Sequence, residues 1–185
     1  MANVRRIVRK YCVRQFMAYF IVFQMLFGLP FQVVRAATPI VGSYDPSTAG
    51  VSQTPNTTTV NLLAEQAIIN WDNFDTIDGE LLQFLRNNGI SPFAVLNKVS
   101  GGPTMFEGNL EAIKGTVFIL NPDGITFAPT AYVTAQNLVA SSMKMKNSDF
   151  LNATEGGTIS GDMEFTNPCG YEGARLVANY GTINA

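Results

Sequence analysis

From Gly115 onward the chain never runs far without a break. "TVFIL", "ITFA", "AYVTA" and "LVASSM" are short runs rich in β-branched and aromatic residues, with Asn, Pro, Gly or Gln between them. No stretch carries the long, capped 3.6-residue apolar period of an amphipathic helix. Short strands at close spacing restrict the chain to an all-β architecture. Between the first two runs stands Asn121-Pro122-Asp123-Gly124. Pro122 presets φ for the second position of a type I turn. The Asn121 side chain can bond backbone amides ahead of it, and Gly124 accepts a positive φ. Local physics therefore accounts for this tetrapeptide as a corner, without a ligand.

Upstream the residues leave more open. Residues 37–59 are rich in Thr, Ser, Pro and Gly and read as an extended entry segment with turns. "NLLAEQAIINWDNF" (61–74) and "ELLQFLRNNG" (80–89) fit either a helix or a strand. "FAVLNKVSGG" (93–102) reads as a strand ended by Gly-Gly, and the alternation of "MKMK" (143–146) as a half-exposed strand. "GTIS" at Gly157 and "GTIN" at Gly181 stand 24 residues apart. That is the length of one solenoid coil, so Ile159 and Ile183 are expected to stack inside successive coils.

Charge divides the chain. The first 35 residues hold six of the 12 basic residues and no acid, so the rest carries six basic and 14 acidic side chains. An acidic body argues against binding nucleic acid or anionic membrane through charge. The basic start, the apolar run from Met17 to Val34 and the small residues Val34 and Ala36 form a secretory signal over residues 1–36, cleaved between Ala36 and Ala37. The competing reading is a membrane-anchored surface protein held by Met17–Val34. Its 18 residues border on spanning length, but Gly28 and Pro30 interrupt the helix.

The chain has no histidine, which removes Ser-His-Asp and Cys-His catalysis and His-based zinc sites. Cleavage after Ala36 would remove Cys12 and leave Cys169 without a disulfide partner. Asp72, Asp75 and Asp78 of "DNFDTIDGE" (72–80) are spaced three and three, which does not fit a calcium loop, so these acids and Glu80 read as solvated turns. Asn56-Thr57-Thr58 and Asn152-Ala153-Thr154 match the glycosylation sequon. No cofactor or metal is expected. A β-helical carbohydrate-active enzyme, a polysaccharide lyase or hydrolase, is the alternative function, and it would need acids converging with a basic residue on one face of the coils.

"AIINWDNFDTIDGELLQFL", "FAVLNKVSGG" and "FEGNLEAIKGTVFILNPDGITFAPTAYVTAQNLVASSMKMKNSDFL" together resemble the N-terminal secretion domain of filamentous haemagglutinin-type exoproteins, over residues 60–151. The most specific part is Asn121-Pro122-Asp123-Gly124-Ile125, which is similar to the family's Asn-Pro-Asn-Gly-Ile, with Asp in place of its second Asn. Leu138-Val139-Ala140-Ser141 resembles the family's Leu-Val-Ala-Ser-Thr segment. Asn70, Trp71, Phe74, Asn97, Val99 and Gly108 fall in the other similar stretches. The family's Asn-Pro-Asn-Leu motif is not evident.

The resemblance implies a right-handed parallel β-helix with capping strands at its N-terminal end. It implies a passenger of two-partner secretion in Gram-negative bacteria, related to adhesins. Its partner would be an outer-membrane β-barrel transporter, which recognises the unfolded domain in the periplasm before it folds outside the cell. The final target would be a host-cell or bacterial surface, with no nucleic acid partner, and with membrane contact only through the signal. Family passengers are long, so residues 152–185 are expected to be further coils of a truncated passenger.

Overall fold

The computed structural model describes residues 38–167 and 175–185. The signal expected over 1–36, its cleavage site at Ala36 and Ala37, the alternative anchor Met17–Val34, and both Cys12 and Cys169 lie outside the described residues.

Two strands begin the described chain, β1 (Ile40–Tyr44) and β2 (Ala49–Thr54). The coils are then wound from β3 (Thr57–Leu62), β4 (Gln66–Asn73), β5 (Leu81–Arg86), β6 (Phe93–Val99), β7 (Thr104–Phe106), β8 (Asn109–Leu120), β9 (Ile125–Phe127) and β10 (Tyr132–Ser141). A short helix, α1 (Asn147–Ala153), and the small pair β11 (Thr154–Glu155) and β12 (Thr158–Ile159) interrupt them. The winding resumes with β13 (Val177–Asn179) and β14 (Thr182–Asn184).

The registers define three parallel faces. On the first, Thr57, Leu81, Asn109, Tyr132 and Thr182 form one column. On the second, Gln66, Ala94, Thr116 and Asn137 do the same. On the third, Thr104, Ile125 and Val177 align, and Thr76 bridges to Phe106 above them. Each circuit of three faces is one coil, and the result is a parallel β-helix of about four turns.

Period-2 alternation places the interior. Thr58, Val60 and Leu62 are buried in the first coil, as are Leu82 and Phe84 in the second, Leu110 and Ala112 in the third, and Val133 and Ala135 in the fourth. An aromatic column runs down one corner. Trp71 meets Phe74 edge-on at 5.2 Å, Phe74 lies 6.0 Å from Phe106, and Phe106 lies 5.9 Å from Phe127. Such pairs add to area burial and recur from coil to coil.

The second face is buried on both sides. Ala94, Leu96, Phe118 and Leu120 point outward, yet they are covered by Met145 and Phe150, with Met163 and Phe165 at the margin. This explains why "FAVL" and "TVFIL" are continuously apolar rather than alternating. The residues that leave the solenoid after Ser141 fold back as this cover. Lys98 Nζ donates to the Met145 carbonyl at 2.9 Å, Thr116 Oγ1 donates to the Gly157 carbonyl at 2.6 Å, and Gln66 Nε2 donates to the Leu151 carbonyl at 3.0 Å.

At the other end, β1 lies antiparallel on β4 and β2 antiparallel on β3. They pair the free edge that the first coil would otherwise expose. The 37–59 stretch, read from sequence as an extended entry, thus holds both capping strands and the start of β3. Residues 61–74 and 80–89 resolve to strands, because their apolar residues face a stacked neighbour on one side.

Three local expectations are corrected. The "GTIS" and "GTIN" echo does not mark successive coils: Thr158–Ile159 pairs antiparallel with Thr154–Glu155, whereas Thr182 lies beside Tyr132. Ile159 is therefore 48% exposed, while Ile183 packs on the core. "MKMK" is no strand: the chain turns off the sheet there, buries Met145 in the outer core and bridges Lys144 to Thr166. The acids of 72–80 are not all solvated, because Glu80 is buried and accepts the Ile77 amide at 2.9 Å and the Thr38 hydroxyl at 3.2 Å.

Close coil stacking fixes one glycine absolutely. A Cβ at Gly101 would lie 1.5 Å from the Asp72 carbonyl oxygen of the coil above. Phe106 is fully buried between two aromatic neighbours. Phe106→Ala should lower the unfolding free energy by about 3–5 kcal/mol in urea titration. Ile113→Ala, at a 70% exposed position, should stay within about 0.5 kcal/mol of the parent.

Candidate functional site

The corner between β8 and β9 is Asn121-Pro122-Asp123-Gly124. It is a β-turn: the Gly124 amide donates to the Asn121 carbonyl at 3.0 Å, and Gly124 has φ of +104°. Within it the Asp123 amide donates to Asn121 Oδ1 at 2.9 Å, an Asx turn.

Asn121 is fully buried, and its bonds reach beyond the turn. Its Nδ2 donates to the Gly102 carbonyl and to Thr104 Oγ1, both at 2.8 Å, in the coil above. Its backbone amide donates to the Ser141 carbonyl in the coil below at 3.0 Å. Gly124 is held between the same neighbours: its carbonyl accepts the Thr104 amide, and the next amide, Ile125, donates to the Leu176 carbonyl, each at 3.0 Å. A Cβ on Gly124 would approach that Leu176 oxygen to 3.0 Å. One turn thus fastens three coils, including the strand that returns after the excursion.

Charge is peripheral here. Asp123 Oδ1 lies 3.5 Å from Arg175 Nη1, both side chains well exposed, a pairing that contributes little in water. Pro122 borders a cavity of about 210 Å³, floored by Val99, Leu120 and Met145 and edged by Lys98 and Lys144. Burial beside this cavity pushes the Lys98 amine below its ordinary pKa.

The structure joins some of the family-like residues and separates others. Trp71 Nε1 donates to Asn97 Oδ1 at 2.9 Å, and Asn97 Nδ2 donates to the Phe118 carbonyl at 3.0 Å, all in the interior. Val99 lies beside Trp71 on the next coil, and Phe74 continues the aromatic column. Asn70 points outward and donates to Ser43 Oγ of the cap at 3.0 Å. Leu138 and Ala140 face the main core, Val139 the outer core, and Ser141 meets Asn121. Gly108 sits at a different corner, where a Cβ would come within 2.6 Å of the Glu80 carbonyl oxygen.

Thr76, which sequence reading passed over, and Asp75, which it read as solvated, complete these corners. Thr76 Oγ1 accepts the Glu107 and Gly108 amides at 3.1 and 2.9 Å, and Asp75 Oδ1 accepts the Met105 amide at 2.6 Å. No group of three His, Cys, Asp or Glu capable of holding a metal occurs among the described residues. Of the acids named from sequence, Asp75 and Glu80 accept backbone amides at corners, and Asp72 and Asp78 are exposed. The arrangement is chemically one of fastening.

Asn121→Ala should cost about 2–4 kcal/mol in denaturant unfolding, since it leaves Thr104 Oγ1 and the Gly102 carbonyl on the coil above without their donor and breaks the Asx bond to the Asp123 amide. Asp123→Asn should change stability by less than about 1 kcal/mol, since it keeps the turn and loses an exposed ion pair. Because the Lys98 amine is depressed, the unfolded chain binds its proton more readily than the folded one. Its contribution to stability should therefore rise with pH through the folded-state pKa toward the usual lysine value, a slope that Lys98→Met removes.

Comparison with known proteins gives this geometry its relatives. The family model described as "TPS secretion domain" matches residues 38–173. Among solved structures, the HMW1 secretion domain from Haemophilus influenzae superimposes with a TM-score of 0.58 at 25% identity. The match covers 80% of this chain and 36% of that one, so the chain spans little more than a third of that protein's length. Among curated proteins none matches. A cap followed by parallel coils, with a family model covering most of the chain, makes this protein a member of the TPS secretion domain family, the domain of two-partner secretion passengers.

Proposed function

We propose that this domain is recognised while still unfolded by an outer-membrane β-barrel transporter, and that it nucleates its own β-helix once outside the cell. Residues 1–36 direct the chain across the inner membrane and are removed after Ala36. The periplasmic domains of the transporter then bind extended chain, with strand addition as the natural mode. The reading is supported chiefly by one asymmetry. The first coil is capped antiparallel by β1 and β2, whereas every later coil lies parallel on the one before. A solenoid with one end closed grows from the other, and each added coil repeats the same edge pairing without any need for ATP.

In this role Asn121, Pro122, Asp123, Gly124 and Ile125 shape the nucleating segment, the Leu138–Ser141 stretch supplies the coil below that the corner fastens, and the Asn70–Phe74 stretch belongs to the capped first coil on which the others stack. The protein acts without catalysis, as a passenger related to adhesins, and its eventual target is a host-cell or bacterial surface.

Co-expression with a two-partner transporter tests this. Asn121→Ala and Gly124→Val should reduce the protein recovered outside the cell to background, while Ile113→Ala is exported like the parent. Parental export of both corner variants would refute the role given to the corner.

A further inference from the structure

Three successive coils meet at one buried side chain. Trp71 is the only tryptophan of the chain and is fully buried in the first coil. Its indole N–H donates to the carboxamide oxygen of Asn97 in the second coil at 2.9 Å. The carboxamide nitrogen of the same Asn97 donates to the Phe118 carbonyl in the third coil at 3.0 Å. Asn97 is itself fully buried, and its inward neighbours on β6 are Val95 and Val99.

The apolar columns around it discriminate poorly between registers. A one-residue slip of β6 on β4 would turn every side chain to the wrong face, but a two-residue slip would not. After such a slip Ile69 would face Val99 instead of Asn97, an exchange that an interior of Ile and Val tolerates. The hydrogen bonds do not tolerate it. The slip moves Asn97 about 6.6 Å along the strand, away from the indole. It leaves a buried N–H and a carboxamide oxygen without partners, which is the costly case for a polar group. Asn97 also faces the next coil, so the same side chain that reads the first coil constrains the third.

We propose that Asn97, acting through Trp71, determines the register in which the second and third coils are laid on the first. Apolar burial drives each coil to add, and this one amide selects where it adds. The proposal rests on the reading of the domain as the nucleus of its solenoid, and it assigns the choice of register to a residue outside the Asn121 corner. Asn97 is a positioning residue, so its removal should change which structure forms rather than only how much of it.

The test is refolding from denaturant without a transporter, so its result is separate from that of the export experiment. Cysteine pairs report register in a Cys12→Ser, Cys169→Ser background. Asn70→Cys with Lys98→Cys joins residues that are partners in the native register. Asn70→Cys with Ser100→Cys joins residues that meet only after the two-residue slip. Asn97→Leu alone leaves the indole N–H unpaired and weakens folding for that reason, so the informative interior is Trp71→Phe with Asn97→Leu, which removes both polar groups. With the parent interior, only the native pair should oxidise after refolding. With the apolar interior, the slip pair should oxidise as well. A slip pair that stays reduced in the apolar interior overturns the proposal. So does a failure of that double variant to fold at all, which would assign the pair to stability alone.

Discussion

The backbone ladder between successive coils is the interaction that everything else here presupposes. Within one coil the chain travels along three faces, and the strands of those faces find their ladder partners only on adjacent coils. Val60 gains its neighbours from Phe84, and Phe106 gains its neighbours from Phe74 and Phe127, each on another coil. A coil without the one before it is therefore an extended strand in water, its amides unpaired and its apolar side chains wet. This dependence explains the antiparallel cap. The first coil has no predecessor, and β1 and β2 supply the edge that a predecessor would have supplied.

The stacking distance then dictates the corners. Strands in a ladder lie about 4.8 Å apart, so a corner must pass its neighbour's backbone closely. Gly101 and Gly108 permit that passage because a Cβ at either position would collide with a carbonyl oxygen of the preceding coil. Polar side chains at the corners take up the amides that the ladder cannot reach. Thr76, Asp75, Glu80 and Asn121 all do so, each toward its own turn or an adjacent coil. A corner motif and a fastening motif are thus the same residues viewed at two scales.

Much of this was legible in the chain, and the reasons differ by segment. "FAVLNKV" was readable as a strand because Gly-Gly ends it, and the chemistry of Asn121-Pro122-Asp123-Gly124 was readable as a turn because those four residues are sufficient to form one. Residues 61–74 and 80–89 were ambiguous because their apolar residues suit either period until a partner strand is present. The partners of Asn121 and Asn97 were invisible: Gly102, Thr104, Trp71 and Phe118 lie 17 to 26 residues away, and only the coil length brings them alongside. The repeat of Gly-Thr-Ile misled for a related reason. The chain leaves the solenoid between Ser141 and Val177, so equal spacing in sequence no longer meant equal position in the coils.

That departure has a cost in time. The outward side chains of β6 and β8 are greasy, and the pieces that shield them, Met145, Phe150 and Phe165, emerge later in the chain. A chain folded only as far as β8 presents Leu96 and Phe118 to water, because their shield lies in later residues. Any stall in that interval leaves an oily stripe on a half-finished rod, open to capture by the nearest similar stripe. The 143–165 stretch, rather than the solenoid interior, is what keeps that stripe out of water.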